Sequence, residues 1–210
     1  MSAIEAVLWD FGGVFTASPF EATRAYSTSL GVDHAVLLEC VFGVYHDDDE
    51  HAWHRLERGE ASMADAMAAA KRAANAQGFE LDPAAFFGSM RDDIDRTIVL
   101  DTVRDLRDRG VRHAIVTNNA REFAASWMKL VPDGLFDVIV DSSAVGIRKP
   151  NPAIYRHAPA ELGVDDPSRA AFLDDYEPNV TAARQLGLHG FVVAADPRSA
   201  LVALTALVDE

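Results

Sequence analysis

The chain has 210 residues, 49% of them hydrophobic, enough to bury a sizeable core as one domain or as a core domain carrying a smaller insert. A net charge of −14 argues against a nucleic-acid backbone or an anionic membrane as partner, but leaves room for a small phosphorylated ligand at a locally positive site. Cys40 is the only cysteine, which excludes an intramolecular disulfide and a Cys-based zinc site and reads as a buried, inert thiol.

The stretch AVLWDFGGVFT opens the chain's organisation. Val7-Leu8-Trp9 is a short apolar run that ends at Asp10 and breaks on Gly12-Gly13, the pattern of a buried strand with an acid at its C-terminal mouth. The two glycines are expected to let the backbone turn tightly and approach a ligand. Ser18-Pro19-Phe20-Glu21 reads as a capping box with proline at the first helical position, starting a helix to Leu30. Asp33 caps a second helix through Phe42, a third is expected from Asp48 to Arg58, Ser62 starts an alanine-rich one, and Asp82-Pro83 opens another. No strand is expected between Ser18 and Arg91.

The pattern then alternates. Ile94–Arg109 is helical, Val111–Val116 a strand, Arg121–Leu130 helical and Val138–Val140 a strand. Asn151–Leu162 is helical with an unexplained Pro159, followed by the strand Ala170–Leu173, the helix Asn179–Leu186, the strand Gly190–Ala194 and the helix Ser199–Val208. Strands alternating with helices predict a doubly wound, parallel, Rossmann-like α/β sheet, here interrupted by an all-helical insert. The expected division is residues 1–16 and 92–210 for the core and 17–91 for the insert. The N-terminus MSAIEAVLWD lacks a basic segment followed by a long apolar one, and no run approaches the roughly 18 apolar residues that span a bilayer, so a cytoplasmic location is expected.

Four chemistry-bearing segments follow strands: Asp10; Thr117-Asn118-Asn119; Arg148-Lys149-Pro150; and Asp174-Asp175. In a parallel sheet these ends meet at one edge. A carboxylate, a hydroxyl with backbone N–H groups, a cation and a paired carboxylate are what metal-assisted phosphoryl transfer to an aspartate requires.

This order of motifs, over essentially the whole chain, resembles the haloacid dehalogenase (HAD) superfamily, in its subfamily with a helical cap inserted after the first motif. DFGGVFT, GIRKPNPAIY and FLDDYEPNV are most similar to the phosphatases related to the N-terminal domain of soluble epoxide hydrolase. The resemblance implies a small phosphorylated metabolite as substrate and Mg2+ as cofactor. Asp10 would be the nucleophile, Thr117 and the amide region of Asn118 would hold the phosphoryl oxygens, and Lys149 would neutralise their charge. Asp10, Asp175 and the Gly12 carbonyl would hold the metal, with Asp174 as neighbour or outer partner. Oligomeric state is open, a homodimer being one option.

One departure stands out. Most HAD phosphatases carry an acid–base aspartate two positions after the nucleophile, where this chain has Gly12. A good leaving group, a replacement acid such as a cap histidine, or loss of turnover would each accommodate it. The absence also raises a competing reading, a metal-independent 2-haloacid dehalogenase, against which the paired Asp174-Asp175 argues. A non-catalytic phosphate-binding protein is the third reading. The segment from His46 to His54 has a metal-like composition, although an acidic helix N-terminus is the preferred reading. Arg58 and Arg148 are expected to be solvated.

Overall fold

The structure is a computed structural model and describes residues 4–90 and 95–210. After strand β1 (Ala6–Trp9) come the helices α1 (Pro19–Ala22), α2 (Arg24–Leu30), α3 (His34–Phe42), α4 (Ala52–Glu57), α5 (Met63–Ala76) and α6 (Pro83–Ser89). The alternating part runs α7 (Thr97–Asp108), β2 (Arg112–Thr117), α8 (Arg121–Trp127), β3 (Val138–Asp141), α9 (Ser142–Val145), α10 (Pro152–Leu162), β4 (Ala170–Asp174), α11 (Glu177–Gln185), β5 (His189–Val192) and α12 (Arg198–Val208).

All strand pairs are parallel, in the order β3-β2-β1-β4-β5. Strand alternation splits β1 between two cores. Val7 and Trp9 pack with residues of α7 and α12 on one face, while Ala6 and Leu8 pack with α10 and α11 on the other. β1 and β4 are accordingly buried along their whole length, which explains why they read as unbroken apolar runs. After β3 the chain crosses β1 to reach β4, so the strand order reverses around the end of β1. That reversal opens a crevice at the strand C-termini.

The helices between β1 and α7 bury a third core of their own. Leu37, Phe42, Trp53, Leu56, Met67 and Phe86 belong to it, and Ala120 is its contribution from beyond β2. The fold is therefore the expected doubly wound parallel sheet with an all-helical insertion. Residue 91, where the helical run was expected to end, and residue 92, the expected domain boundary, lie outside the described residues, as does the expected helix start at Ile94.

Local differences have physical causes. The helix expected from Ser18 to Leu30 is two helices that meet at Thr23, whose hydroxyl donates to the Phe20 carbonyl (2.9 Å). The Ser18 capping box does not form: Glu21 is taken by Arg24 (2.9 and 2.8 Å), and Ser18 donates instead to Asp175. The third helix starts at Ala52 rather than Asp48, because the His51 ring Nδ1 accepts from the Trp53 N–H (3.2 Å) and caps it there. Helix α10 runs through Pro159 to a left-handed Gly163. Helix α9 was not foreseen; Asp141 caps it by accepting from the Ser143 N–H (2.9 Å).

Candidate active site

Register brings the predicted residues together. Trp9 pairs with Ile115 and Leu173, so Asp10 emerges from the sheet between Thr117 of β2 and Asp174 of β4. Lys149 Nζ reaches across this gap to Asp10 Oδ1 (2.8 Å) and Asp174 Oδ2 (2.7 Å). Asp174 is fully engaged: Oδ2 also accepts from Asn179 Nδ2 (3.0 Å), and Oδ1 accepts from the Tyr176 N–H (2.7 Å). Asp10 Oδ1 accepts from the Phe11 N–H (2.7 Å). Carboxylate oxygens of Asp10, Asp174 and Asp175 all lie within 4.8 Å of one another, the one such cluster found among the described residues.

The charges are unequal and buried. Burial raises the Asp10 carboxyl well above its ordinary range; Lys149 opposes the shift, while Asp174 and Asp175 add to it. Burial and then repulsion from Asp174 push Asp175 up to about 7, against the Ser18 hydroxyl and Lys149. Burial works against the Lys149 ammonium too, but Asp10 and Asp174 outweigh it and hold its pKa above the usual range. Three carboxylates against one ammonium form a site that a hard divalent cation fits, since it supplies the missing positive charge to oxygen ligands.

The glycines divide their labour. Gly13 has φ +75°, and a Cβ there would stand 2.1 Å from Asp175 Cγ, so only glycine lets that carboxylate close on the first loop. Gly12 does not have positive φ, and a Cβ on it would meet only Pro19 Cδ, at 3.8 Å. The backbone freedom expected of both is required only of Gly13.

Thr117 is buried beside the site. The Asn118 side chain is occupied in a clamp on the Lys149 loop, its Oδ1 accepting from the Lys149 N–H (2.7 Å) and its Nδ2 donating to the Lys149 carbonyl (3.0 Å). Arg148 contradicts the expectation of a solvated charge. It is 0% exposed, donating from Nε to Glu57 Oε2 (2.7 Å) and to the carbonyls of Tyr45 and Asp47, with its guanidinium 4.8 Å from the Tyr45 ring centre. Glu57 Oε1 in turn accepts from Tyr45 Oη (2.9 Å) and Trp53 Nε1 (2.8 Å). Arg58, also expected to be solvated, is half-buried against Asp48 (2.7 Å) and Glu60 (2.9 Å). The histidine-rich segment forms no metal cluster among the described residues: His51 caps α4, and His54 Nδ1 sits 2.6 Å from Asp49.

Sequence reasoning missed Asn179, Glu57 and Tyr45. Asn179, in the first turn of α11, carries a polar side chain facing back toward its own strand end, a signal present in the spacing after Asp174. Glu57 ends α4 and Tyr45 lies in the turn between α3 and α4, and the approach of both to the Lys149 loop leaves no local trace.

Residues 4–187 match the family model of haloacid dehalogenase-like hydrolases. The chain belongs to that family. It is an enzyme family, and its relatives include named phosphatases. A sesquiterpene phosphatase of Aspergillus oryzae is 27% identical over 90% of this chain and 89% of its own length. Mouse acyl-CoA dehydrogenase family member 10 is 26% identical over 97% of this chain, which spans only 19% of that protein. Among solved structures, a HAD family enzyme of Bacteroides thetaiotaomicron in complex with magnesium and inorganic phosphate has TM-score 0.58 at 19% identity, covering 92% of this chain and 96% of that one. A dehalogenase has TM-score 0.66 at 18% identity, covering 100% of this chain and 99% of that one. At these identities the two structures speak for the fold alone. Among the described residues no helix is long and apolar enough to cross a membrane.

Proposed function

We propose that this hydrolase is a Mg2+-dependent phosphatase acting on a small phosphorylated metabolite through a phosphoaspartate on Asp10. The observation that carries the reading is the charge imbalance at the sheet edge: carboxylates of Asp10, Asp174 and Asp175 within 4.8 Å of one another, with the Lys149 ammonium bridging two of them. Asp10, Asp175 and the Gly12 carbonyl would hold the ion, and Asp174, its oxygens already engaged, would steer Lys149. Bound there, Mg2+ supplies the positive charge that lets an anionic phosphate approach Asp10.

An Asp10 oxygen attacks phosphorus as the bond to the leaving oxygen breaks, and water then cleaves the acyl phosphate to phosphate and free Asp10. Lys149 and the N–H groups following Thr117 stabilise the charge on the phosphoryl oxygens, with the Thr117 hydroxyl. The Asn118 side chain holds the Lys149 loop. Residues 17–91 act as a cap over a core of 1–16 and 92–210. The dehalogenase reading retains one favourable observation, Gly12 in place of an acid, which a halide leaving group would not need.

The experiment compares phosphate release from acetyl phosphate, and halide release from a 2-haloacid, with Mg2+ and with chelator. Phosphate release that requires Mg2+ and falls to background in Asp10→Asn is expected. Halide release in chelator would install the dehalogenase reading.

A further inference from the structure

Among the described residues, three voids border the loop that follows β1. A recess of about 40 Å³ lies directly over Asp10, Asp174 and Asp175. A cleft of about 900 Å³ adjoins it through Asp175 and Tyr176 and carries charged side chains, Glu21 and Glu39 among them. A chamber of about 390 Å³ adjoins it through Gly12 and Asn118, and also takes in Thr117. Phe20 and Tyr45 wall all three.

The chamber differs from the cleft in chemistry. Its walls are aromatic and come from both the insert and the core. Phe11 packs on Trp127 (4.9 Å between ring centres), Phe42 on Trp53 (4.7 Å) and Phe87 on Phe123 (5.8 Å). Among its described lining residues there is no lysine, arginine or histidine. Its one carboxylate, Glu57, is already held by Arg148, Tyr45 and Trp53. A second phosphate would thus enter without a cation to pair with. The polar side chains on the lining are largely engaged: Asn118 holds the Lys149 loop, Asn119 donates to Asp141, and the Thr16 and Ser126 hydroxyls donate to backbone carbonyls, which leaves few partners for a sugar's hydroxyls. Hydrocarbon would enter favourably, and the size falls within the range of small-molecule pockets.

Gly12 gives the chamber its connection. It borders both the recess and the chamber, and the space its missing side chain leaves is limited only by Pro19. An acid here would set a carboxylate in the passage between the reacting phosphorus and the aromatic walls.

We propose that the aromatic chamber receives the leaving group, making the substrate a phosphomonoester of an apolar alcohol, with Gly12 as the opening through which the hydrocarbon passes. The bond from phosphorus to the alcohol oxygen breaks as the Asp10 oxygen bonds to phosphorus, and with no acid at position 12 the departing oxygen takes its proton from water. The inference rests on the phosphatase reading for the phosphate end, and on the chamber for the other end. Trp127, Phe123 and Phe87 are then specificity-determining residues.

The test measures kcat/KM with Mg2+ for ethyl, hexyl and decyl phosphate and a hexose phosphate, with acetyl phosphate as reference, together with tryptophan-fluorescence titrations of the matching alkyl phosphonates. The expected result is a rise of about fourfold per added methylene until the chamber is filled, with hexose phosphate below hexyl phosphate. Phe123 is 38% exposed at the mouth, so Phe123→Asp leaves the core intact. It is expected to lower the decyl-to-ethyl ratio by about tenfold or more. A flat wild-type series, or hexose phosphate preferred to hexyl, overturns the proposal. Release from acetyl phosphate with none from any ester overturns the proposal and leaves the phosphatase reading standing; if acetyl phosphate too releases no phosphate, the phosphatase reading fails and the phosphonates decide the chamber. Affinity rising with chain length sustains an apolar binding site, and affinity independent of length removes it.

Discussion

Arg148 and Lys149 are consecutive cations on one loop, both buried, and their surroundings differ in one respect. Lys149 bridges Asp10 and Asp174 with Asp175 close by, so three carboxylates share one ammonium. Arg148 meets one carboxylate, Glu57, and two backbone carbonyls, and its charge is matched. Unmatched buried charge is destabilising unless something compensates it, whereas a matched pair is a fixed strut between the insert and the core. Burial of ionisable groups therefore does not mark the site here. Imbalance does.

The comparison breaks most severely at Gly13. A methyl group there would overlap the Asp175 carboxylate, so Gly13→Ala should displace the third acid and undo the imbalance. Misplacement of a reacting group by about 1 Å is worth roughly 10²-fold in rate, and a loss of that order in Mg2+-dependent turnover is expected. The proposed function also expects Mg2+ to stabilise the wild type against heat, and that stabilisation should be absent from the variant. A variant with undiminished Mg2+ response would show that Asp175 is not drawn into the site by this turn.

The balanced cluster should fail differently. Glu57→Ala strands the Arg148 guanidinium in a fully buried position, for an expected loss of about 3–5 kcal/mol in urea unfolding. Replacing both partners together, Glu57→Leu with Arg148→Met, should recover most of that loss. A single variant within about 1 kcal/mol of wild type would make the strut dispensable.

His113 sharpens the contrast as a buried group kept neutral. Its Nδ1 accepts from the Trp9 indole N–H (3.0 Å), and burial lowers its pKa to about 4. The folded pKa lies below the ordinary value near 6.5, so between these values the unfolded chain takes up a proton that the folded chain refuses. The stabilisation is complete above about pH 6.5 and is lost as pH falls toward 4, by up to about 3 kcal/mol. His113→Gln should flatten that part of the stability profile. An equally steep profile in the variant would assign the loss to other groups.

These contrasts also mark what could be read in advance. Asp10, Thr117 and Asp174 end strands, and a strand end followed by a glycine, an amide or a second acid is a local pattern; the parallel sheet then forces the three together. Lys149 lies beyond β3 with α9 between them, and was legible from the order of the motifs along the chain rather than from a strand end. Arg148, one residue before it, was not, because its partner Glu57 lies 91 positions away in the insert, and nothing in the loop itself distinguishes a buried arginine from a solvated one. Ser18 shows the converse: its local capping pattern was clear, but the Asp175 carboxylate, brought near by the sheet, takes its hydroxyl. Local chemistry was readable wherever the partner was the backbone or the sheet edge, and unreadable where it crossed between insert and core.

The central claim is that the unmatched carboxylates serve a phosphoryl transfer to Asp10. The most direct measurement is an acid-quenched single turnover with radiolabelled acetyl phosphate and Mg2+, followed by digestion and mass spectrometry of the labelled peptide. The account predicts a phosphoryl group on Asp10 that forms and decays at rates matching phosphate release, and that is absent in chelator. Phosphate released at the full rate with no label on the protein, or with the label on another residue, would contradict it.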